Sequence, residues 1–311
     1  MKKKRNYKVS IIIPCYNEEG NIEVLYRAIK SEVSSENLEF VFVDDFSNDN
    51  TLIIIEKIAH LDKSVKYLSL SRNFGHQNAL RAGLEYASGE CVISIDADLQ
   101  HPPRIVNSMI ERWKNGFEVV YTIRKNHENV SLLKRLSSNI FYKILNYFSD
   151  VSIKNGSADF RLLDRKVVEV LKHDVNEYHL FYRGLIKWVG FKQIAIEYTS
   201  NKRHTGKSKY SLKKMIALAI NGITSFSVKP LKYAIFLGLF LSIITAVYSI
   251  YILYASFFTD DTIEGWTSVI LSVLFIGGVN MVLLGIIGEY IGKIFIQVKN
   301  RPHFIVRKSN F

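Results

Sequence analysis

The chain predicts an open α/β sheet of alternating strands and helices, followed by two carboxy-terminal membrane spans. Short β-branched runs recur between amphipathic stretches, and each run ends in a polar cluster. Two long segments with almost no charge then close the chain. The 311 residues are 48% hydrophobic, but most of the excess lies after Leu231, so the first two thirds have the composition of a globular domain.

Val9 to Ile13 is the first β-branched run, punctuated by Pro14-Cys15-Tyr16-Asn17-Glu18-Glu19-Gly20-Asn21. Ile22, Leu25, Tyr26 and Ile29 follow at helical spacing. Phe40 to Val43 is a second strand, ending in Asp44-Asp45-Phe46-Ser47. Helix Thr51 to Ala59, strand Val65 to Leu70 and helix Gln77 to Tyr86 lead to a strand over Val92 to Ile95. That strand stops at Asp96-Ala97-Asp98-Leu99-Gln100-His101, and Pro102-Pro103 forbid its extension and open a helix at Arg104.

Phe117 to Ile123 is a further strand, ending at Arg124, and residues 126–157 carry helical periodicity. Asn155 to Arg161 reads as a loop leading into a strand, with helices Arg165 to Leu171 and His179 to Trp188 and strand Gln193 to Tyr198 beyond. This rhythm predicts a parallel, doubly wound sheet whose carboxyl edge gathers the polar side chains, which is where such sheets bind ligands.

Leu212 to Val228 is amphipathic and flanked by lysines, which suits a helix in a membrane interface or one packed on a core. Leu231 to Phe258 and Val269 to Gly288 each exceed the roughly 20 apolar residues that a bilayer requires. Their connecting loop holds Asp260, Asp261 and Glu264, whereas Lys229, Lys232, Lys293, Lys299 and Arg301 flank the outer ends. The positive-inside rule then puts both termini in the cytoplasm, as in an integral protein of the cytoplasmic membrane. The glycines at 277, 278, 285, 288 and 292 favour close helix contacts, and a homo-oligomer such as a tetramer is expected.

Met1 to Arg5 is basic, but the apolar run after it is too short for a signal peptide, so an untargeted start is expected. Cys15 and Cys91 have no metal spacing and are expected as buried thiols. The net charge of +12 comes without a zinc motif or aromatic RNA-binding pattern. It therefore points to anionic lipid and phosphate-bearing substrates, with no nucleic acid as partner.

Asp96 and Asp98 lie two apart, so on an extended strand end they point the same way. Hard oxygen donors of this kind suit Mg²⁺ or Mn²⁺ held together with substrate phosphates, although a lone Asp-x-Asp is more often a solvated turn.

Four blocks resemble the family-2 glycosyltransferases, and more closely the polyprenyl-phosphate sugar synthases. They are Pro14 to Glu18, Asp44 to Ser47, Asp96 to Pro103, and Arg203-His204-Thr205-Gly206-Lys207-Ser208-Lys209-Tyr210. The resemblance implies a Rossmann-like GT-A nucleotide-sugar domain over residues 1–210, an interfacial helix over 211–229 and a two-span region with its tail over 230–311. It assigns Pro14, Tyr16, Glu18, Val43, Asp45, Asp96 and Ala97 to the nucleotide, and Arg124, Arg203 and Lys209 to the phosphates. Asp98 and Gln100 would ligate the metal, and Asp159 would serve catalysis, as a base or by orienting substrate. Phe46 departs from the glycine that some members carry before the serine.

The activity so implied is inverting transfer of a sugar from a nucleotide sugar to undecaprenyl (polyprenyl) phosphate. UDP-glucose is the favoured donor, with UDP-GlcNAc and GDP-mannose as alternatives. A processive polysaccharide synthase would want a Gln-x-x-Arg-Trp block after the acidic loop, and Arg112-Trp113 precedes that loop and lacks the glutamine. A non-catalytic membrane scaffold remains the reading from a different class.

Overall fold

The computed structural model describes residues 7–35, 37–125, 143, 146–148, 156–178, 180–200, 223–224, 227–258 and 265–311. Four strands form the parallel half of one sheet: β1 (Val9–Cys15), β2 (Leu38–Asp44), β3 (Val65–Leu70) and β4 (Cys91–Ser94). β5 (Val119–Lys125), β6 (Ser157–Asp164), β7 (Gln193–Thr199) and β8 (Val306–Ser309) complete it in the order β7-β5-β6-β4-β1-β2-β3-β8.

The sheet is mixed rather than wholly parallel. β6 runs antiparallel to both β4 and β5, and β8 runs antiparallel to β3. Strand direction follows from the side on which a connection returns, and residue periodicity carries no record of it. β8 has no counterpart in the sequence reading, because Val306-Arg307-Lys308-Ser309 shows neither apolar alternation nor length. Charged, short strands of this sort are characteristic of sheet edges.

Helices cover both faces. α1 (Ile22–Glu32), α2 (Thr51–Leu61) and α4 (Ile105–Lys114) lie on one side, where Ile22, Leu25, Ile55, Val106 and Met109 meet Val9, Ile11 and Ile13. α3 (His76–Tyr86), α5 (Arg165–His173) and α6 (Tyr182–Trp188) lie on the other, where Leu80, Val168, Leu171 and Leu185 meet Ile12, Val41 and Leu68. β1 thus feeds both cores by strict alternation, as a strand between two layers must. α3 crosses β1 so closely that a Cβ at Gly83 would collide with the Ile12 side chain.

The strand boundaries hold to within about two residues for the parallel half. Two differences matter. β6 begins at Ser157, so Asp159 sits on a strand instead of in a loop. The helix expected from His179 starts only at Tyr182, because residues 180 and 181 are not helical.

α7 (Lys229–Phe258) and α8 (Trp266–Val298) are each long and apolar enough to cross a membrane. Their apolar windows have mean hydropathies of 1.9 and 1.7 with 0% of either window buried in the chain, unlike the core helices of a soluble domain. The end of α8 is nonetheless docked: Gln297 accepts from the Tyr178 N–H at 2.8 Å and donates to the Asn176 carbonyl at 2.7 Å. Most of the predicted interfacial helix lies outside the described residues.

Candidate active site

The site lies along the carboxyl edge of the parallel strands. The turns after β1, β2 and β4 each contain a non-glycine residue in the left-handed region: Asn17 (φ 53°), Phe46 (φ 64°) and Leu99 (φ 61°). Among the described residues Asn300 is the other such position, so three of the four strained residues line one edge. Hydrogen bonds hold the first two turns together. Asn17 N–H donates to Ser47 Oγ at 3.0 Å, and Asn17 Oδ1 accepts from the Asn48 N–H at 2.8 Å. Asp44 accepts from the Ser47 N–H and from Ser69 Oγ, each at 3.0 Å.

Asp45 is buried and faces the next loop, where it accepts from the N–H groups of Phe74 at 2.7 Å and Gly75 at 2.9 Å. Burial raises its carboxyl above the ordinary range, although both backbone bonds oppose the shift. Asp45 therefore fixes the loop that leads into α3, and α3 opens with His76.

His76 stands between two carboxylates. Its Nε2 is 3.5 Å from Asp96 and 3.9 Å from Asp159. Asp96 also pairs with His101 Nε2 at 3.0 Å, and His101 Nδ1 meets the Tyr198 hydroxyl at 2.7 Å. An ionised Asp96 can only accept, so His101 donates from Nε2 and, when neutral, accepts from Tyr198 at Nδ1. Burial raises the Asp96 carboxyl, but the His101 bond and the two nearby imidazoles more than offset it and leave it lowered. Burial pushes the Tyr198 hydroxyl up to about 12, keeping it a neutral donor.

Asp159 is gripped by two guanidinium groups. Arg183 approaches both of its oxygens, at 3.0 Å each, and Arg161 lies 3.4 Å from one. Its backbone is pinned as well: Ser94 Oγ donates to the Asp159 carbonyl, and Thr122 Oγ1 to the Phe160 carbonyl at 2.8 Å. Burial would raise the Asp159 carboxyl, yet Arg183, Arg161 and His76 overcome it and hold it well below the usual range. The group stays a carboxylate under any physiological condition. A cavity of about 280 Å³ opens here, lined by Phe74, His76, Gln77, Asp159, Phe181 and Arg183 among others. It has an acid–guanidinium floor and apolar walls.

The structure thus brings Asp96, Asp159, His76, His101 and Arg183 together beside Asp98, Gln100 and Arg124. Pro14 and Ala97 are buried, whereas Tyr16 and Glu18 are partly open at the β1 turn. The Val43 side chain is closed to a nucleotide, so the expected base or ribose contact would run through its backbone. Val43 is fully buried in the core beside α3, paired with Pro14 and Leu68, because alternation along β2 turns it away from the edge. Gln100 Oε1 accepts from Arg124 Nη1 at 3.2 Å, linking the two predicted ligand residues. Arg203, His204 and Lys209 lie outside the described residues.

Tyr198 and Arg161 were not singled out by sequence reasoning. Tyr198 comes from β7, which β5 and β6 separate from β4, and the loop after β4 carries His101 across to it. Nothing in the spacing of His76 or Arg183 along the chain ties them to Asp96 or Asp159.

The donor set suits a hard divalent cation. Asp98 is a buried carboxylate at the strand end, followed by an amide oxygen at Gln100. Among the described residues no three acidic, histidine or cysteine side chains gather as a closed cage.

Comparison with known proteins places the chain in a family. Residues 10–172 match the family described as "Glycosyl transferase family 2", and residues 229–294 match the "GtrB C-terminal hairpin". A protein of Bacillus subtilis described as "Uncharacterized glycosyltransferase YkcC" is 44% identical, over 98% of this chain and 95% of its own length. The "Bactoprenol glucosyl transferase" of Shigella phage SfII is 40% identical, over 97% of this chain and 98% of its own. Among solved structures, a mannosyltransferase from Pyrobaculum calidifontis in complex with GDP-Man and Mn²⁺ shares the fold, with a TM-score of 0.50 at 19% identity. The match covers 71% of this chain and 64% of that one.

Fold and site together define a GT-A glycosyltransferase carrying two candidate membrane helices. The chain belongs to glycosyl transferase family 2.

Proposed function

We propose that the protein transfers a glucosyl residue from UDP-glucose to a polyprenyl phosphate at the membrane surface, with inversion at the anomeric carbon. The observation that carries this reading is the match to bactoprenol glucosyl transferases along nearly the whole chain, hairpin included. Sugar transfer to a lipid phosphate also accounts for a catalytic edge next to two uncovered apolar helices.

In this mechanism an oxygen of the lipid phosphate forms the new bond to the anomeric carbon. The bond from that carbon to the donor's diphosphate breaks, and the nucleoside diphosphate leaves with the electron pair. A phosphate monoester with a second pKa of about 6 is already largely dianionic at neutral pH, so no general base is required. Asp159, held ionised by Arg183 and Arg161, accepts hydrogen bonds from sugar hydroxyls and steadies positive charge developing on the ring. Arg124, together with Arg203 and Lys209 from the basic block, neutralises the diphosphate. Mg²⁺ or Mn²⁺ at Asp98 and Gln100 would supply Lewis-acid stabilisation of the leaving group.

The test is incubation of the purified protein in lipid nanodiscs with undecaprenyl phosphate and a panel of labelled nucleotide sugars. A labelled lipid formed from UDP-glucose alone is expected. Label carried from UDP-GlcNAc or GDP-mannose instead reassigns the donor, and no labelled lipid from any donor overturns the reading.

A further inference from the structure

The last strand, β8, is stitched along β3 and ends up at the nucleotide edge of the site. Leu68 pairs with Ser309, Ser69 with Lys308 and Leu70 with Val306, with a register shift between Ser69 and Leu70. Side chains lock the strand further. Asn310 Oδ1 accepts from the Tyr67 N–H at 2.7 Å, its Nδ2 donates to the Val65 carbonyl at 3.1 Å, and Lys308 pairs with Glu56 at 2.6 Å. The Ser71 N–H donates to the Ile305 carbonyl at 2.9 Å. Residues 299–305 alone separate this strand from the end of α8.

Arg307 lies at the register shift and reaches across to the β2 turn. Its guanidinium lies over the Phe46 ring, 5.2 Å from the centroid, and its Nη2 approaches Ser69 Oγ at 3.4 Å. Ser69 in turn donates to Asp44, whose other oxygen accepts from the Ser47 N–H. Phe46 is therefore covered by Arg307 on one face, beside a turn that Asp44 holds through Ser47 and Ser69. A bulky aromatic at φ 64° is a strained conformation that persists only when its surroundings determine it. The adjacent Asp45 fixes the Phe74–Gly75 loop that carries His76.

We propose that the carboxy-terminal strand is part of the nucleotide site: Arg307, stacked on Phe46, is a positioning residue that holds the β2 turn in its left-handed form for the nucleoside end of a nucleoside-diphosphate sugar. This rests on the donor-site reading above and adds to it a residue from beyond the candidate spans. The tail following α8 and the donor pocket then form one unit.

The experiment uses the full chain in nanodiscs, with UDP and GDP as the calorimetric probes and steady-state kinetics on the transferred donor. Arg307→Ala should weaken nucleotide binding about 3- to 10-fold, as loss of one cation–π contact implies. The donor KM should rise with it, while kcat at saturating donor stays within about twofold. Arg307→Lys keeps the charge but loses the planar stack, and should fall between the two. The deciding measurement is a double-mutant cycle with Phe46→Gly, since glycine adopts the turn without help. Whatever Phe46→Gly does by itself, adding Arg307→Ala to it should change affinity less than about twofold. Wild-type affinity in both Arg307 variants overturns the inference, and so does a fully additive loss in the double mutant. If the wild-type protein binds neither UDP nor GDP, the donor-site reading itself falls and takes the inference with it.

Discussion

Arg183 meets Asp159 as a fork meets a carboxylate, with two contacts of 3.0 Å between α6 and the start of β6. The pair is largely buried, with Arg161 behind it and His76 in front. An acid so placed keeps its charge and its direction, both of which a sugar-orienting group requires.

Asp159→Asn keeps the size of the side chain but removes the charge. It should lower kcat about 100- to 1000-fold, the scale of losing one electrostatic contact to a transition state. Arg183→Lys should be milder but still impaired, because an ammonium cannot hold both oxygens. Transfer of labelled sugar to polyprenyl phosphate, measured against donor concentration, checks both. Wild-type turnover in Asp159→Asn would remove the residue from the mechanism.

Chelation tests the carboxylates that follow β4. Treatment with EDTA should abolish transfer, and Mg²⁺ or Mn²⁺ should restore it in the wild type. In Asp98→Ala neither cation should restore activity at millimolar concentration. Full rescue of that variant would place the metal elsewhere.

A buried acid away from the site sets part of the acid stability. Burial raises the Glu39 carboxyl, but bonds from Lys8, Ser10 and Ser88 outweigh it, and the net shift is downward. A group with a lowered folded pKa contributes stability above its unfolded pKa of about 4.3, and loses it as pH falls through the folded value. Glu39→Gln should therefore destabilise the domain at pH 7 by about 1–3 kcal/mol. Its loss of stability between pH 5 and 3 should be shallower than in the wild type. Thermal unfolding followed across that range reads both effects.

Gly83 tests the packing of α3 on β1. A methyl group there collides with Ile12 at the centre of the second core, so Gly83→Ala should cost about 1–3 kcal/mol despite the better helix propensity of alanine. Ile12→Ala on that background should recover part of the loss, as a smaller neighbour admits the added methyl. An unchanged melting temperature in Gly83→Ala would contradict the close contact.

The parallel half of the fold was legible because its signals are local. β1 and β2 announce themselves by β-branched runs, α1 by apolar residues at helical spacing, and β4 by two carboxylates and two prolines at its end. The spans of α7 and α8 were equally plain, since length and lack of charge are properties of the chain alone. Direction was not legible for β6, and β8 escaped altogether. Four residues with two charges are too few to show alternation, and their strand character comes from the free edge of β3.

The site divides in the same way. The sequence by itself determined which acids stand at strand ends, because a strand that stops at Asp96 and Asp98 must place them at one edge. It also determined that the protein carries long apolar helices and resembles family-2 glycosyltransferases. Only the tertiary structure decided that Val43 turns inward, that His76 lies between Asp96 and Asp159, and that Tyr198 supports His101. The same holds for Arg183 gripping Asp159 and for Arg307 arriving at Phe46 from the end of the chain. These contacts join different elements of the chain, and it is the packing of helices, loops and strands in the folded domain, not spacing along the sequence, that brings them within hydrogen-bonding or stacking reach.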